Sequence, residues 1–243
     1  MSYVLIVGAK SDIAKELARV YAKNGYNLYL GAREASELEA FKTDLEVRSS
    51  IKVALIELDI TAYETHQGTY DNLDEKPLGV IVVSGYMTEQ YKAEKEWSET
   101  LNTINVNYTG AVSLLNIIAN DFEEEKRGFI VGVSSVAGDR GRKTNYIYGS
   151  AKAAFSAYLS GLRNRLYESN VSVLTVKPGF VNTKMTEDLA LPERLTAEPI
   201  EVAEDIFKAQ QAGKNILYTK WIWRYIMLII TNIPEFIFKK LSI

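Results

Sequence analysis

Short apolar runs alternate along the chain with longer segments whose apolar residues recur at helical spacing. The first run, Tyr3–Val7, ends at Gly8, and the following segment, Asp12–Asn24, places Ile13 and Leu17 on one helical face. The runs are continuous and rich in β-branched residues, which is typical of parallel strands covered on both faces. This alternation predicts an α/β fold, a three-layer doubly wound parallel sheet in a single domain.

The same pattern predicts the individual elements. The predicted strands are Tyr3–Val7, Tyr26–Leu30, Lys52–Leu58, Leu78–Ser84, Gly128–Ser134, Val171–Val176 and Ile216–Thr219. The predicted helices are Asp12–Asn24, Glu34–Arg48, Thr61–Asn72, about Glu96 to Glu125, Tyr146–Ser169 and Pro199–Ala212. The polar segment Thr183–Glu198 is interpreted either as a lid over a substrate or as a surface loop.

Composition excludes several kinds of site. The chain has 243 residues, no cysteine and a net charge of −3, so disulfides, thiolate metal sites and a clustered basic nucleic-acid surface are not expected. His66 is the only histidine, which leaves no multi-histidine metal site, and we expect it on a helix surface. Acid–base chemistry near neutral pH would therefore come from Tyr, Lys or carboxylate groups.

The first strand leads through a tight turn into the first helix, where a Rossmann-like sheet places a dinucleotide pyrophosphate. The helix N-terminus offers free N–H groups and the positive end of its dipole. Gly8 supplies the turn, Ala14 permits close helix packing, and Asp12 stands at a usual glycine position and is expected to cap the helix. An ordinary βα turn is the alternative interpretation. The candidate cofactor-binding residues are Gly8, Lys10, Ser11, Asp12 and Ile13.

The end of the second strand indicates which dinucleotide would bind. A carboxylate there would select NAD through the ribose hydroxyls, but the sequence has Arg33 and no carboxylate before Glu34. The planar guanidinium suits a 2′-phosphate, and Lys10 is a candidate second cation, so the residues favour NADP(H). A solvated loop is the alternative interpretation of Arg33. Asp59, after the third strand, either meets the adenine amino group or caps the next helix.

The strongest candidate chemistry lies between the fifth strand and the helix after it. Ser135 follows this strand, Tyr148 comes thirteen residues later, and Lys152 is one helical turn beyond Tyr148. A phenol can protonate the alkoxide that hydride transfer to a carbonyl leaves. A neighbouring ammonium is expected to lower the pKa of that phenol, and the Ser135 hydroxyl to stabilise developing charge.

With Ser135 upstream, the Tyr148-Gly-Ser-Ala-Lys152 stretch resembles the active site of the short-chain dehydrogenase/reductase family. The resemblance covers about residues 3–183 and implies that Asn107, in Ile104–Gly110, is a fourth catalytic residue that bends the backbone and holds a water. Two motifs depart from the family pattern, because Asp12 and Ala14 replace glycines and Val82-Val83-Ser84-Gly85 replaces Asn-Asn-Ala-Gly. Tyr148 and Lys152 are also candidate cofactor contacts, with Lys152 placed to hold the nicotinamide ribose. By the same resemblance, further cofactor contacts come from Gly85, Pro178, Gly179, Val181 and Thr183.

The C-terminal extension 220–243 is more apolar than the catalytic region 1–219. Lys220 and Arg224 flank Trp221 and Trp223, which fits a segment at a membrane interface. The alternative is packing in an oligomer interface or the core, because the resemblance implies that this region lies in a subunit interface or forms part of the substrate pocket. The turn sequence also resembles, more loosely, the keto-reductase subgroup of decaprenylphosphoryl-ribose epimerisation. The family resemblance further implies a homodimer or homotetramer. We expect a cytoplasmic protein, peripheral on the inner face of a membrane if the extension meets lipid.

Three functional hypotheses remain open at this point. The first is an NADPH-dependent oxidoreductase that acts on a small-molecule ketone or secondary alcohol, with a keto-sugar, lipid-linked or not, as its substrate. The second is a reductase of 3-oxoacyl thioesters. The third is a non-catalytic NADP-binding regulator, for which the altered glycine turn leaves room. The charged loop residues Arg140, Arg142 and Lys143 either contact an anionic substrate or are simply solvated, and the sequence does not distinguish these two interpretations.

Overall fold

Seven parallel strands form the central sheet of the computed structural model, which describes residues 1–187 and 191–241. Residues 188–190 of the predicted lid and 242–243 of the extension lie outside this description. The strand order is β3-β2-β1-β4-β5-β6-β9. The chain thus reverses its direction of winding between β1 and β4, which confirms the predicted doubly wound architecture. The strands are β1 Tyr3–Val7, β2 Asn27–Ala32, β3 Val53–Glu57, β4 Gly79–Val82, β5 Gly128–Val133, β6 Val171–Pro178 and β9 Ile216–Thr219.

Helices cover both faces of the sheet, and a two-stranded pair lies beside it. The helices are α1 Asp12–Lys23, α2 Glu39–Ser49, α3 His66–Asp71, α4 Gln90–Lys95, α5 Trp97–Ile104, α6 Gly110–Glu125, α7 Tyr146–Arg165, α8 Pro199–Gln211, α9 Ile222–Asn232 and α10 Glu235–Phe238. The parallel pair is β7 Phe180–Val181 and β8 Thr196–Ala197. This pair and helices α4, α9 and α10 were not predicted from the sequence.

Two apolar layers explain why the continuous strands are buried on both sides. On one face, α1 and α8 pack together, and Leu17 and Ile206 are fully buried in that layer. On the other face, α6 and α7 bury Phe122 and Leu159 against the sheet. Each strand therefore presents apolar side chains in both directions, as the sequence pattern indicated.

Local interactions move several element boundaries. Strand β6 continues through Pro178 because β9 pairs with it there, so the prediction that it ends at Val176 was wrong. The predicted long helix is divided by a π-helical turn at Asn105–Thr109. The predicted helix from Glu34 starts later, because Glu34 has left-handed backbone geometry and a 3₁₀ turn precedes α2.

The single histidine is buried, so its predicted surface position was wrong. His66 Nδ1 lies 3.0 Å from Ser113 Oγ on α6, and its Nε2 lies 3.2 Å from the Asp59 carbonyl oxygen. These contacts join α3 to α6 and to the turn after β3. Burial lowers the pKa of His66, so the neutral ring acts here as a structural link.

The C-terminal extension packs on the domain through one face of α9. Trp223 and Met227 are buried in a small cluster with Val136. The opposite face leaves Leu228 and Ile229 exposed. No helix among residues 1–187 and 191–241 combines the length and the apolar character that crossing a bilayer requires. The separate extension at 220–243 and its contact with a membrane or another subunit stay predictions.

Candidate active site

Two adjoining cavities open at the carboxyl ends of the strands. The first has a volume of about 370 Å³, and its wall includes Ser135, Tyr148 and Lys152. The second has a volume of about 680 Å³ and includes Arg33 and Asp59. Both cavities share Lys10, Ser11 and Gly85 in their walls. They form one elongated cleft at the point where the sheet changes its winding direction, which is where open α/β sheets bind ligands.

The turn after β1 brings backbone N–H groups into this cleft. Gly8 has a φ of +84°, and a Cβ there would lie 2.8 Å from the Ser84 backbone nitrogen, so the turn requires glycine. Ser11, rather than the predicted Asp12, caps α1, since its Oγ accepts from the Ala14 N–H at 3.3 Å. Asp12 Oδ2 instead accepts from the Lys184 N–H at 3.0 Å. The carboxylate therefore attaches the segment after β7 to the turn.

A carboxylate at the end of β3 positions the loop that carries Arg33. Glu57 accepts hydrogen bonds from the backbone N–H groups of Glu34 and Ala35, at 2.8 and 2.9 Å. These bonds lower the pKa of Glu57. Sequence reasoning missed this role of Glu57. The only signal was an acidic residue at a strand end next to the predicted cofactor pocket.

The charges around Arg33 differ from the sequence expectation in one respect. Lys10 is paired with Glu34 at 3.3 Å and with Glu37 at 2.6 Å, so its charge is largely offset where a second free cation was expected. Arg33 is exposed in the wall of the larger cavity. Asp59 accepts from the N–H and the hydroxyl of Thr61, each at 2.8 Å. It therefore stabilises the turn after β3 while it also lines the cavity.

Strand β5 and helix α7 bring the three candidate catalytic side chains to one wall. Lys152 Nζ lies 5.7 Å from the Tyr148 ring centre and donates to the Val133 carbonyl oxygen at 3.1 Å. Ser135 Oγ accepts from the Ala137 N–H at 3.1 Å. The neighbouring Ser134 hydroxyl donates to the Lys152 carbonyl oxygen at 2.9 Å, which fixes α7 against β5.

Burial controls the protonation of Tyr148 and Lys152. It raises the pKa of Tyr148 to about 12, and an interaction with the Ser135 hydroxyl opposes this rise. It also lowers the pKa of Lys152 to about 7. Desolvation is therefore the main influence on the pKa of Tyr148 in the protein without a cofactor. The lowering of this pKa that is expected from Lys152 and a bound nicotinamide stays a prediction. The phenol remains protonated at neutral pH and can donate its proton.

Asn107 forms hydrogen bonds that fix the backbone next to the smaller cavity. It is buried within the π-helical turn, where its Nδ2 donates to the carbonyl oxygens of Tyr86 at 2.6 Å and Thr103 at 2.8 Å. A Cβ at Gly85 would lie 3.4 Å from Asn107 Oδ1 and 3.7 Å from Lys152 Nζ. Asn107 therefore holds the chain after β4 beside Lys152, and its predicted roles in catalysis and in water binding stay predictions.

The remaining predicted contacts also line the smaller cavity, together with an aromatic residue of the C-terminal extension. These predicted cofactor contacts are Pro178, Gly179, Val181 and Thr183. Trp223 of α9 also lines this cavity, and its Nε1 donates to the Leu195 carbonyl oxygen at 3.0 Å. Sequence reasoning assigned the extension no specific site residue. Its high aromatic content was the available signal.

The loop between β5 and α7 distributes its three basic residues differently. Arg140 donates to the carbonyl oxygens of Ile230 and Ile233, each at 2.7 Å, and pairs with Glu235 at 2.8 Å. Arg140 therefore binds the C-terminal end of α9. It is neither solvated nor placed to meet an anionic substrate, so both interpretations from the sequence were wrong for this residue. Lys143 is exposed, whereas Arg142 lines the smaller cavity.

Comparison with known proteins places this geometry among related sequences and structures. The family model for short chain dehydrogenase matches residues 2–194. An uncharacterized oxidoreductase of Mycobacterium tuberculosis is 33% identical over 98% of this chain and 96% of its own length. The structure of a short-chain dehydrogenase from Sphingobium yanoikuyae in complex with NADPH has a TM-score of 0.85 at 23% identity, covering 97% of both chains. A bulky-bulky ketone specific alcohol dehydrogenase from Comamonas testosteroni has a TM-score of 0.82 at 20% identity, covering 97% of this chain and 96% of its own.

Proposed function

Because this chain belongs to the short-chain dehydrogenase/reductase family, we propose that it is an NADP(H)-dependent oxidoreductase that interconverts a ketone and a secondary alcohol. The observation that carries the proposal is the convergence of Ser135, Tyr148 and Lys152 on one wall of a cavity. This cavity adjoins a second one whose rim carries Arg33. The arrangement provides a proton donor in a cavity that adjoins the candidate cofactor residues.

The residues of the larger cavity fit NADP(H) better than NAD(H). In the adjoining smaller cavity, the first turn of α1 offers the backbone N–H groups of Asp12 and Ile13, which have no partner within the helix, to a pyrophosphate. Arg33 offers a planar cation to a 2′-phosphate, and Glu57 holds its loop in place. The fold neighbour from Sphingobium yanoikuyae is itself a complex with NADPH. When bound, the nicotinamide supplies or accepts the hydride.

Proton transfer falls to the side chains of the smaller cavity. Since burial raises the pKa of Tyr148 to about 12, the hydroxyl holds its proton at neutral pH and can give it to the alkoxide oxygen. The Ser135 hydroxyl donates to the same oxygen and stabilises its developing charge. Lys152, held by the Val133 carbonyl oxygen, contributes a polar group beside the phenol. Asn107 positions the backbone behind Lys152.

Apolar side chains around this catalytic wall favour a substrate with a bulky or lipid-like portion. Met87, Phe180 and Trp223 all line the cavity. A keto-sugar, with or without a lipid, and a 3-oxoacyl thioester are the two substrates that we propose to compare. The fold neighbour from Comamonas testosteroni acts on bulky ketones, which is consistent with a wide apolar pocket.

The first test measures the binding of NADPH and of NADH to the purified protein by fluorescence titration. We expect tighter binding of NADPH and loss of that preference in Arg33→Ala, because the substitution removes the cation next to the 2′-phosphate. Arg48→Ala is the matched control, since Arg48 is an exposed arginine on α2. Equal affinity for both dinucleotides, or a preference for NADH, would reject the assignment of Arg33.

The second test separates an enzyme from a non-catalytic NADP-binding regulator. Tyr148→Phe is expected to lower turnover at least about 100-fold while it leaves NADPH affinity nearly unchanged, because general acid catalysis contributes that much. Tyr146→Phe is the control, since Tyr146 is an exposed tyrosine two residues earlier on α7. Full activity of Tyr148→Phe would reject the proton-donor assignment. NADPH binding without turnover across keto-sugars and 3-oxoacyl thioesters would support the regulator.

A further inference from the structure

The loop between β5 and α7 places a partly buried guanidinium in the wall of the catalytic cavity. Arg142 lines the same cavity as Ser135 and Tyr148. The Arg142 side chain is only partly exposed to solvent, whereas Lys143 in the same loop is exposed. A loop arginine that served only solubility would extend into water, as its long side chain permits. The position of Arg142 therefore needs a different explanation.

Arg142 also lacks the partners that its neighbour has. Its enclosed Nε has no hydrogen-bond partner among the residues that the structure describes, whereas Arg140 binds three carbonyl oxygens and Glu235. Burial lowers the pKa of Arg142, and the nearby charge of Asp139 opposes this effect. The Asp139 carboxylate is itself bonded to Lys177 and to the Tyr218 hydroxyl. A desolvated cation without a close counter-ion is unfavourable, which indicates that an external anion completes the arrangement.

A second unsatisfied polar atom lies next to Arg142. The enclosed Oδ1 of Asn145 has no hydrogen-bond donor within the described part of the chain, and Asn145 lines the same cavity. Asn145 precedes the first residue of α7, and the Asn145 N–H donates to the Arg142 carbonyl oxygen at 3.1 Å. Asn145 and Tyr148 line the same cavity at the start of α7. Two polar groups without partners thus lie beside the proposed proton donor.

We propose that Arg142 forms an oxyanion-binding subsite beside Asn145, whose Oδ1 is free to accept from a substrate hydroxyl, so that the ketone reduced here carries a phosphate or a carboxylate group. The planar fork of a guanidinium matches both oxyanions, and Asn145 can accept from a hydroxyl next to them. Among the residues that the structure describes, Asp12 supplies the one carboxylate of this cavity wall, and that carboxylate already accepts from the Lys184 N–H. Arg142 and Asn145 belong to the loop between β5 and α7, whereas the turn at Gly8–Ile13, which we assign to the cofactor pyrophosphate, follows β1. This inference rests on the proposed oxidoreductase function for its substrate, but not for its binding step.

Calorimetric titration with inorganic phosphate and with dihydroxyacetone phosphate tests the binding step directly. The protein is first saturated with NADP⁺, which fills the cofactor's own phosphate sites and prevents reduction of the ketone. We expect both probes to bind the wild type and to lose about tenfold or more in affinity in Arg142→Gln, the usual effect of removing a hydrogen bond to a charged group. Lys143→Gln removes an exposed charge from the same loop and should bind like the wild type.

A kinetic arm then identifies the oxyanion and its position relative to the reacting carbonyl. With NADPH, dihydroxyacetone phosphate and dihydroxyacetone differ only in the phosphate, and 4-oxopentanoate and pentan-2-one differ in the carboxylate. We expect the anionic member of at least one pair to have the higher kcat/KM, and Arg142→Gln to reduce that ratio about tenfold or more. Arg142→Lys should restore part of it, because charge returns without the planar fork.

Together, the binding and kinetic arms distinguish failure of the subsite from failure of the oxidoreductase function. Phosphate binding that depends on Arg142, without turnover of any ketone, supports the subsite and contradicts the oxidoreductase function. Turnover of neutral and anionic ketones with equal kcat/KM, together with phosphate affinity that is absent or unaffected by Arg142→Gln, overturns the subsite and leaves the oxidoreductase function intact.

Discussion

Replacing Lys152 by methionine tests whether burial, rather than attraction to Tyr148, governs the electrostatics of the catalytic wall. Lys152 is nearly inaccessible to water, and its Nζ donates to the Val133 carbonyl oxygen at 3.1 Å. Methionine keeps most of the apolar stem and removes the amine. The variant should therefore lose turnover and yet fold more stably than the wild type at neutral pH, because an unpaired ammonium in the core is unfavourable.

The magnitude follows from the shift in the pKa of Lys152. Its pKa falls from 10.5 to about 7 on burial, which corresponds to about 5 kcal/mol at about 1.4 kcal/mol per pH unit. Between these two values the unfolded chain binds one more proton at this site than the folded protein does, so wild-type stability rises with pH. The penalty is complete below pH 7, decreases between pH 7 and 10.5, and vanishes above that range. From pH 7 to pH 9, the wild type should gain about 2 kcal/mol relative to Lys152→Met, because the folded protein is already half deprotonated at this site at pH 7.

Urea unfolding of both proteins at pH 7 and pH 9, at equal ionic strength, measures this difference. The variant also loses the hydrogen bond to Val133, which lowers its stability by about 1 kcal/mol at every pH. The change between the two pH values is therefore the diagnostic quantity, and Lys143→Met serves as a surface control. If the stability difference between wild type and Lys152→Met were the same at both pH values, the reasoning that burial lowers the pKa of Lys152 would be refuted.

Three further variants test contacts that hold the cleft together. In Glu57→Gln, the Arg33 loop loses the carboxylate that binds its backbone N–H groups. Titration should therefore show a several-fold smaller preference for NADPH over NADH. An unchanged ratio of the two affinities with a lower Tm would mean that Glu57 is only structural. In Gly179→Ala, the new Cβ would lie 1.9 Å from Trp223 Nε1, so thermal unfolding should show a loss of about 1–3 kcal/mol, and an unchanged Tm would contradict this packing. Arg140→Gln removes the bonds to the end of α9, so trypsin should cleave the extension faster than in wild type, and equal cleavage rates would show that these bonds do not hold it.

The sequence predicted the sheet well because strand periodicity and burial act locally. All seven strands of the central sheet were predicted, with boundaries that differ by a few residues. One of these errors occurred at β6, which continues through Pro178 because β9 lies beside it. A proline ends a strand only where its missing N–H would be needed, and that depends on a neighbour more than 30 residues away in the chain. Local patterns cannot contain this information.

The same distinction explains which site residues were recognisable. Tyr148 and Lys152 share a helix face, so their spacing alone brings them together. The roles of Glu57 and His66 depend on contacts between distant segments. Glu57 binds backbone groups 22 and 23 residues earlier, and His66 contacts Ser113 47 residues later. Burial of His66, like the protonation of Lys152, follows from the assembled core and not from its neighbours in sequence.

The C-terminal extension belongs to the catalytic cavity as well as to the surface. Trp223 packs so closely on Gly179 that no side chain fits between them, and both residues line the cavity. Arg140, two residues before Arg142, binds the end of the same helix. Displacement of α9 would therefore alter the apolar wall and the loop that carries the proposed oxyanion subsite at the same time. Any partner that covers the exposed face of α9 is in a position to change which ketone fits, without touching Tyr148 or Lys152.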